Sequence, residues 1–280
     1  MIKSRSQKTF YEYINHNIMK KSNFKDHFSV SAEKYCKHRP DYPDELFGFL
    51  SSMTPGRNLA WDCATGSGQA ALGLVKYFPK VIATDASQRQ IENATRHEKI
   101  SYSVAPAHKT AIPADSIDLI TVAQALHWFE LDRFYTEAER VLKQNGIIAA
   151  WTYNLLKISP EIDQVIEFFY FNVVGEFWPP ERKFVENRYE NIPFPFHRLP
   201  SPSFLMSAKW TVEQLVGYLD TWSAVKRYKE SRGENPVESI EKDLIRFWDS
   251  HSDVMTVHWP LSVMVGKKHS HETTHATVIN

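Results

Sequence analysis

The chain has 280 residues, 42% of them hydrophobic and 24% charged, so it is neither a mainly disordered nor a fibrous sequence. Its 33 Lys and Arg balance its 33 Asp and Glu. This argues against a nucleic-acid binder, which draws most of its affinity from a basic excess. The two cysteines, Cys36 and Cys63, have no metal-site spacing and cannot build a disulfide framework.

No run approaches the ~18 apolar residues that a membrane span needs, and residues 1–23 form a basic, polar extension without the apolar stretch of a secretory signal. A reducing, cytoplasmic compartment is therefore expected. Residues 58–63 are apolar and strand-compatible, 69–77 helical, 80–85 a strand running into Asp85-Ala86-Ser87, and 88–97 helical. Residues 100–105 alternate as a strand does. Residues 117–123 are nearly all apolar, as in a strand covered on both faces. In 131–142, Phe134, Ala138, Val141 and Leu142 share one helical face. Gly146 is expected to end that helix, and 147–153 is another apolar strand. Strands alternating with helices predict a doubly wound, mostly parallel sheet.

Beyond this, 160–175 reads as a helix, and prolines at 179, 180, 193, 195, 200 and 202 exclude one long element. Residues 203–208 read as a strand, Thr211 caps a helix, Asn235-Pro236 opens another, and 257–266 is a terminal strand. Six tryptophans follow residue 150. They fill a core or wall an aromatic pocket.

The segment Asp62-Cys63-Ala64-Thr65-Gly66-Ser67-Gly68-Gln69 is a strand end, a glycine turn and a helix start. Its glycines let backbone approach a ligand where a Cβ would clash. Asp85, ending the next strand, is placed to accept both hydroxyls of a ribose. Gly66-x-Gly68-x-x-Ala71 also fits a dinucleotide turn. Asp62, so close to the turn, suits a ligand carrying positive charge better than a pyrophosphate, which favours S-adenosylmethionine over NAD(P).

These motifs resemble the class I S-adenosylmethionine-dependent methyltransferases, and within them the small-molecule group that includes trans-aconitate methyltransferase. The family's D-x-G-x-G-x-G-Q stands here with Ala64 in place of the first glycine. Val104-Ala105-Pro106-Ala107-His108 resembles the segment flanking the adenine, with His108 where the family has Glu. Ala123-Gln124-Ala125-Leu126-His127-Trp128-Phe129 matches A-Q-A-x-H-W-F, and 140–146 resembles R-V-L-K-P-G-G. Phe28, Tyr35 and Arg39-Pro40-Asp41-Tyr42-Pro43 resemble a segment that closes over the cofactor.

The resemblance implies a Rossmann-like sheet of seven strands, the last antiparallel, with an N-terminal helical segment and a C-terminal helical and aromatic insertion. It implies a core and lid at 24–153, a substrate-side insertion with the final strands at 154–268, and a tail at 269–280. Expected cofactor contacts are Tyr35, Arg39, Asp62, Ala64, Gly66, Gly68, Asp85, Ala107, His108, Gln124 and Ala125.

Methyl transfer from a sulfonium needs position and a dry site, and needs a general base only when the acceptor carries a proton to remove. His127 is the candidate base, with loop orientation as its alternative. Trp128, Tyr153, Arg182 and Trp222 are candidate substrate contacts, and Arg182, Lys226 and Arg227 are candidate partners of an acidic substrate. His269, His271 and His275 have the count of a metal site but lie in a polar tail, so no functional metal is expected. The expected reaction is methyl transfer to a small molecule, with a carboxylate as one candidate acceptor, releasing S-adenosylhomocysteine. A cofactor-binding protein without transfer activity and a macromolecule methyltransferase are the alternatives.

Overall fold

A computed structural model of the protein describes residues 40–248 and 253–269. Helix α1 (Asp44–Met53) precedes strand β1 (Leu59–Cys63). After β1 come α2 (Gln69–Leu74), β2 (Lys80–Asp85), α3 (Gln88–Asn93), β3 (Ile100–Val104), β4 (Ile117–Ala123), α4 (Leu131–Val141) and β5 (Leu142–Tyr153). The register pairs Ala60 with Val81 and with Leu119, and Ile120 with Ile148, all parallel. This is the β-α-β alternation that the apolar periodicity predicts.

Alternate residues of the central strands enter opposite cores. Ala60, Leu119 and Ala149 face one cluster, packed by Leu46, Phe47 and Leu50 of α1. Trp61, Ile120 and Ile148 face the other, packed by Phe134, Ala138 and Val141 of α4. Strand β4 is buried on both faces except at its last residue, Ala123, which explains its uninterrupted apolar run.

The C-terminal half adds α5 (Pro160–Phe168), α6 (Arg182–Glu186), β6 (His197–Leu199), β7 (Phe204–Trp210), α7 (Val212–Asp220), α8 (Ser223–Arg232), α9 (Glu238–Phe247) and β8 (Met255–Lys267). The final strand β8 runs antiparallel to β5, as expected. Among the described residues the sheet has eight strands rather than seven, in the order β3-β2-β1-β4-β5-β8-β6 with β7 also on β8. Leu261 pairs Tyr153 on one edge and Phe204 on the other, while Val265 pairs Leu199. Strands β6 and β7 thus share one lane, broken at Pro200-Ser201-Pro202 because proline supplies no N–H to the ladder. Seven lanes hold eight strands.

Two local expectations are corrected. The predicted helix over 160–175 holds through Phe168, capped by Ser159 with Pro160 in its first turn. It then widens into a π-turn (Phe169–Val173) and a 3₁₀ turn (Gly175–Phe177). Gly146 does not end α4. That helix stops at Val141, and Gly146 lies within β5, where an added Cβ would sit 2.8 Å from the Lys143 carbonyl and 3.2 Å from the Ile117 carbonyl. Glycine is required there by close backbone approach. Among the described residues, no helix is long and apolar enough to cross a membrane.

Candidate active site

The carboxyl ends of β1, β2, β4 and β5 form one edge of the sheet, the edge at which doubly wound folds bind ligands. At β1 the chain turns through Ala64, Gly66 and Gly68, all left-handed, at φ 56°, 54° and 88°. Asp62 is wholly buried beneath this turn. One oxygen accepts the Thr65 hydroxyl at 2.5 Å and the Ala71 N–H at 3.1 Å, and the other accepts the Thr121 hydroxyl at 2.8 Å. Burial pushes its carboxyl up to about 6, against those bonds. Both Asp62 oxygens are therefore committed within the protein, and the residue acts on the site by bracing the turn.

Space at the turn is uneven. A Cβ on Gly66 would meet nothing nearer than Gln90 Oε1 at 4.0 Å, whereas one on Gly68 would lie 2.2 Å from the Tyr102 hydroxyl. Gly66 thus opens onto a cradle, and Gly68 is pressed by Tyr102, which is itself anchored to the Thr95 carbonyl at 2.7 Å. Gln69, opening α2, donates to the Pro40 carbonyl at 2.6 Å and ties the lead-in chain to the turn.

Asp85 ends β2. Its carboxylate accepts the Gly66 N–H and the Ser87 N–H, each at 2.9 Å. Ala105 N–H reaches the Asp85 carbonyl at 3.0 Å, which holds the Ala107-His108 loop beside the same carboxylate. That loop is fixed further along by Glu137, whose carboxylate takes the Thr110 N–H at 2.8 Å, the Thr110 hydroxyl at 2.7 Å and the Arg140 guanidinium at 2.8 Å.

At the end of β4, Gln124 has φ 55°. Its side chain turns to β5 rather than into the cradle. Nε2 donates to the Tyr153 carbonyl at 3.1 Å, and Oε1 accepts the Thr152 hydroxyl at 2.6 Å. Ala125 starts a 3₁₀ turn (Leu126–Trp128). His127 in that turn places Nδ1 2.7 Å from the Tyr189 hydroxyl, with its ring 4.7 Å from that of Trp128. Burial first, then the nearby Arg182 charge, lower His127 to about 3, so the imidazole is neutral at physiological pH. Tyr153 is buried in the core, and its main-chain carbonyl is the part that meets Gln124.

Arg182, opening α6, lies across β5's end. Its Nη2 donates to Asn154 Oδ1 at 3.0 Å and its Nε to the Tyr170 hydroxyl at 2.7 Å. The guanidinium stacks 4.7 Å from the Trp178 ring centre and 5.3 Å from that of Tyr170. Among the described residues, no carboxylate lies within ion-pair distance of it. Trp222 is buried behind this box, with ring centres 5.5 Å from Trp178 and 5.8 Å from Tyr170. It shapes the wall from behind.

Phe28, Tyr35 and Arg39 lie outside the described residues, as do Cys36, His271 and His275. No group of three or more metal-ligating side chains occurs among the described residues. Sequence reasoning missed Tyr102, Glu137, Thr152 and Tyr189. Gln69 stood in the quoted turn motif, and its role as a tie to Pro40 had no local signal.

A family model described as a methyltransferase domain matches residues 61–150. A Dictyostelium discoideum protein that carries a methyltransferase name is 35% identical over 252 residues, 88% of this chain and 96% of its own. A solved structure from Anaeromyxobacter dehalogenans, described as a type II methyltransferase, superposes with a TM-score of 0.79 at 40% identity, over 83% of this chain and 99% of that one. A Saccharomyces cerevisiae protein named for S-adenosylmethionine-dependent methyl transfer, CRG1, is 29% identical over 142 residues, 48% of this chain and 47% of its own. The chain belongs to the class I S-adenosylmethionine-dependent methyltransferases. Its cofactor is S-adenosylmethionine, and the residues present fit it: an open glycine cradle at Gly66 faces a carboxylate at the end of the neighbouring strand.

Proposed function

We propose that this enzyme methylates a small molecule bearing an acidic group, and that residues 154–268 supply the substrate side of the site. When bound, S-adenosylmethionine supplies an already activated methyl group, so the protein's task is to hold the acceptor in line and exclude water. In this reading Ala64, Gly66 and Gly68 cradle the cofactor, and Asp85 takes its ribose. Ala107, His108 and Ala125 flank its base, and Tyr35 and Arg39 take its carboxylate. Asp62 braces the turn from below.

The observation that carries the substrate class is Arg182. A guanidinium resting against the Trp178 and Tyr170 rings, with two of its donor groups taken by Asn154 and the Tyr170 hydroxyl and no carboxylate within ion-pair distance, supports an anion receptor; Glu186 reaches it only through that hydroxyl, which donates to the Glu186 carboxylate at 2.7 Å. In this reading Trp178, on which the guanidinium rests, is one flat apolar wall of the acceptor site, and Trp128, beside His127, is a candidate for another. The test is methyl transfer from labelled S-adenosylmethionine to a panel of small carboxylic acids and their primary amides. Acids should be methylated at least tenfold faster than the matched amides, and Arg182→Gln should remove that preference. Equal rates on acids and amides, or an unchanged preference in Arg182→Gln, would overturn the assignment.

A further inference from the structure

The seventh lane of the sheet is interrupted between β6 and β7, and the interruption is a cavity. Strand β6 ends with Leu199 opposite Val265, and β7 begins with Phe204 opposite Leu261. Between them, Ser262, Val263 and Met264 of β8 pair with Thr152, Trp151 and Ala150 of β5 and have no ladder partner on the other side. Along an antiparallel strand, successive residues turn their N–H and C=O alternately to one neighbour and the other. At least one of these three therefore points both groups into the interruption. Pro200 and Pro202 have no N–H, the Ser201 hydroxyl donates to the Pro202 carbonyl at 3.1 Å, and no main-chain hydrogen bond joins 200–203 to β8 among the described residues.

The cavity measures about 260 Å³, and Arg188 and Arg198 both line it. Arg198, in β6, lies over the Phe194 ring, 5.5 Å from its centre. Arg188 is delivered by a left-handed turn, φ 54°, with Tyr189 at 62° after it. Glu190 also lines the cavity, yet no carboxylate lies within ion-pair distance of either arginine among the described residues. Two guanidiniums against one carboxylate leave the lining one net positive charge. Arg182, Asn154, Tyr170 and Trp178 take no part in it.

We propose that this interruption is a second anion site, distinct from the Arg182 site, and that it takes the phosphate group of a small molecule. The donors select the class. Each guanidinium presents a rigid fork of N–H groups that matches carboxylate or phosphate. Two forks, a main-chain N–H and the Ser262 hydroxyl exceed what the two oxygens of one carboxylate can align with, whereas a tetrahedral phosphate has oxygens for all of them. The volume, under the ~300 Å³ at which sites for drug-sized ligands begin, suits a small ligand.

The site stands independently of the acceptor reading above. The test is calorimetric titration of the full chain with inorganic phosphate, glycerol phosphate and succinate at about 0.15 M ionic strength. A phosphate probe should bind with a Kd below about 1 mM, and succinate at least about tenfold more weakly. Arg188→Gln and Arg198→Gln, both at exposed positions, should each weaken phosphate at least about tenfold. Glu190→Gln should tighten it. Tighter binding of glycerol phosphate than of phosphate makes the occupant a small organic phosphate, and equal binding makes it the free ion. No binding of either phosphate probe at ~10 mM, succinate binding as tightly as phosphate, or unchanged affinity in both arginine variants would overturn the proposal. Loss in Arg182→Gln with retention in Arg188→Gln and Arg198→Gln would overturn it too, by placing the anion on the acceptor side. Equal methylation of acids and amides would strike the acceptor reading and leave this site standing.

Discussion

The carboxylate of Asp85 and the amide of Gly66 meet at 2.9 Å, so the last residue of β2 holds the turn that follows β1. One side chain therefore sets both the shape of the glycine cradle and the charge facing it. Asp85→Asn keeps the size and removes the charge, and it sets its amide donor against one of the two N–H groups, of Gly66 or of Ser87, that now bond separate carboxylate oxygens. S-adenosylhomocysteine should bind at least about tenfold more weakly, ~1.4 kcal/mol, by calorimetric titration. Affinity unchanged within twofold would mean that the ribose is held elsewhere.

The turn's positions differ in what they tolerate. Gly68→Ala introduces a left-handed residue and drives its Cβ to 2.2 Å from the Tyr102 hydroxyl. It should cost about 2–3 kcal/mol in denaturant unfolding. Adding Tyr102→Phe removes the offending oxygen, and the next ring atom is 3.2 Å away, so the double variant should recover part of the loss. Ala64 already occupies φ 56°, a conformation that costs an L-residue roughly 1–2 kcal/mol. Ala64→Gly should leave stability equal or raise it slightly, since the greater chain entropy of glycine offsets the gain. A fall in melting temperature would show that this strain is not real.

Legibility in the sequence followed distance along the chain. The glycine turn, Asp85 and the buried run of β4 were readable because each is a local requirement: left-handed backbone, an acid ending a strand, burial on two faces. The Tyr189–His127 pair spans 62 residues and the Glu137–Thr110 pair 27, and no local pattern announces either. Gln124 was readable as part of a motif, but its side-chain direction was not, because that depends on the Thr152 and Tyr153 groups of the neighbouring strand. The split of the seventh lane into β6 and β7 was half legible, since Pro200 and Pro202 mark the break but not which strand they border.

Glu137 gives a pH signature. Its hydrogen bonds to Arg140 and Thr110 outweigh burial and hold its carboxyl down to about 2 from an ordinary 4.5. A depressed carboxyl stabilises the fold above its unfolded value and loses that contribution as pH falls from about 4.5 to about 2. Glu137→Gln should therefore lower stability at pH 7 by roughly 1–2 kcal/mol, allowing for the partly exposed Arg140. The gap from the unaltered protein should close across that acid window. Asp62, shifted the opposite way, is present in both proteins and cancels in the difference. A gap independent of pH would assign the loss to packing alone.

In the proposed reading Arg182 recognises the acceptor and not the cofactor. Arg182→Lys keeps the charge but cannot hold the Tyr170 hydroxyl and Asn154 together as the planar guanidinium does. If Arg182 serves the acceptor as proposed, the KM for an acidic acceptor should rise at least tenfold, while the dissociation constant of S-adenosylhomocysteine should stay within twofold. Arg182→Gln also removes the charge that helps to depress His127, so the His127 pKa should rise while staying below its ordinary value, since burial is the larger cause. If the two ligands weaken together in both variants, Arg182 is holding the architecture of the edge. If the acceptor alone weakens, the guanidinium is the anion's partner.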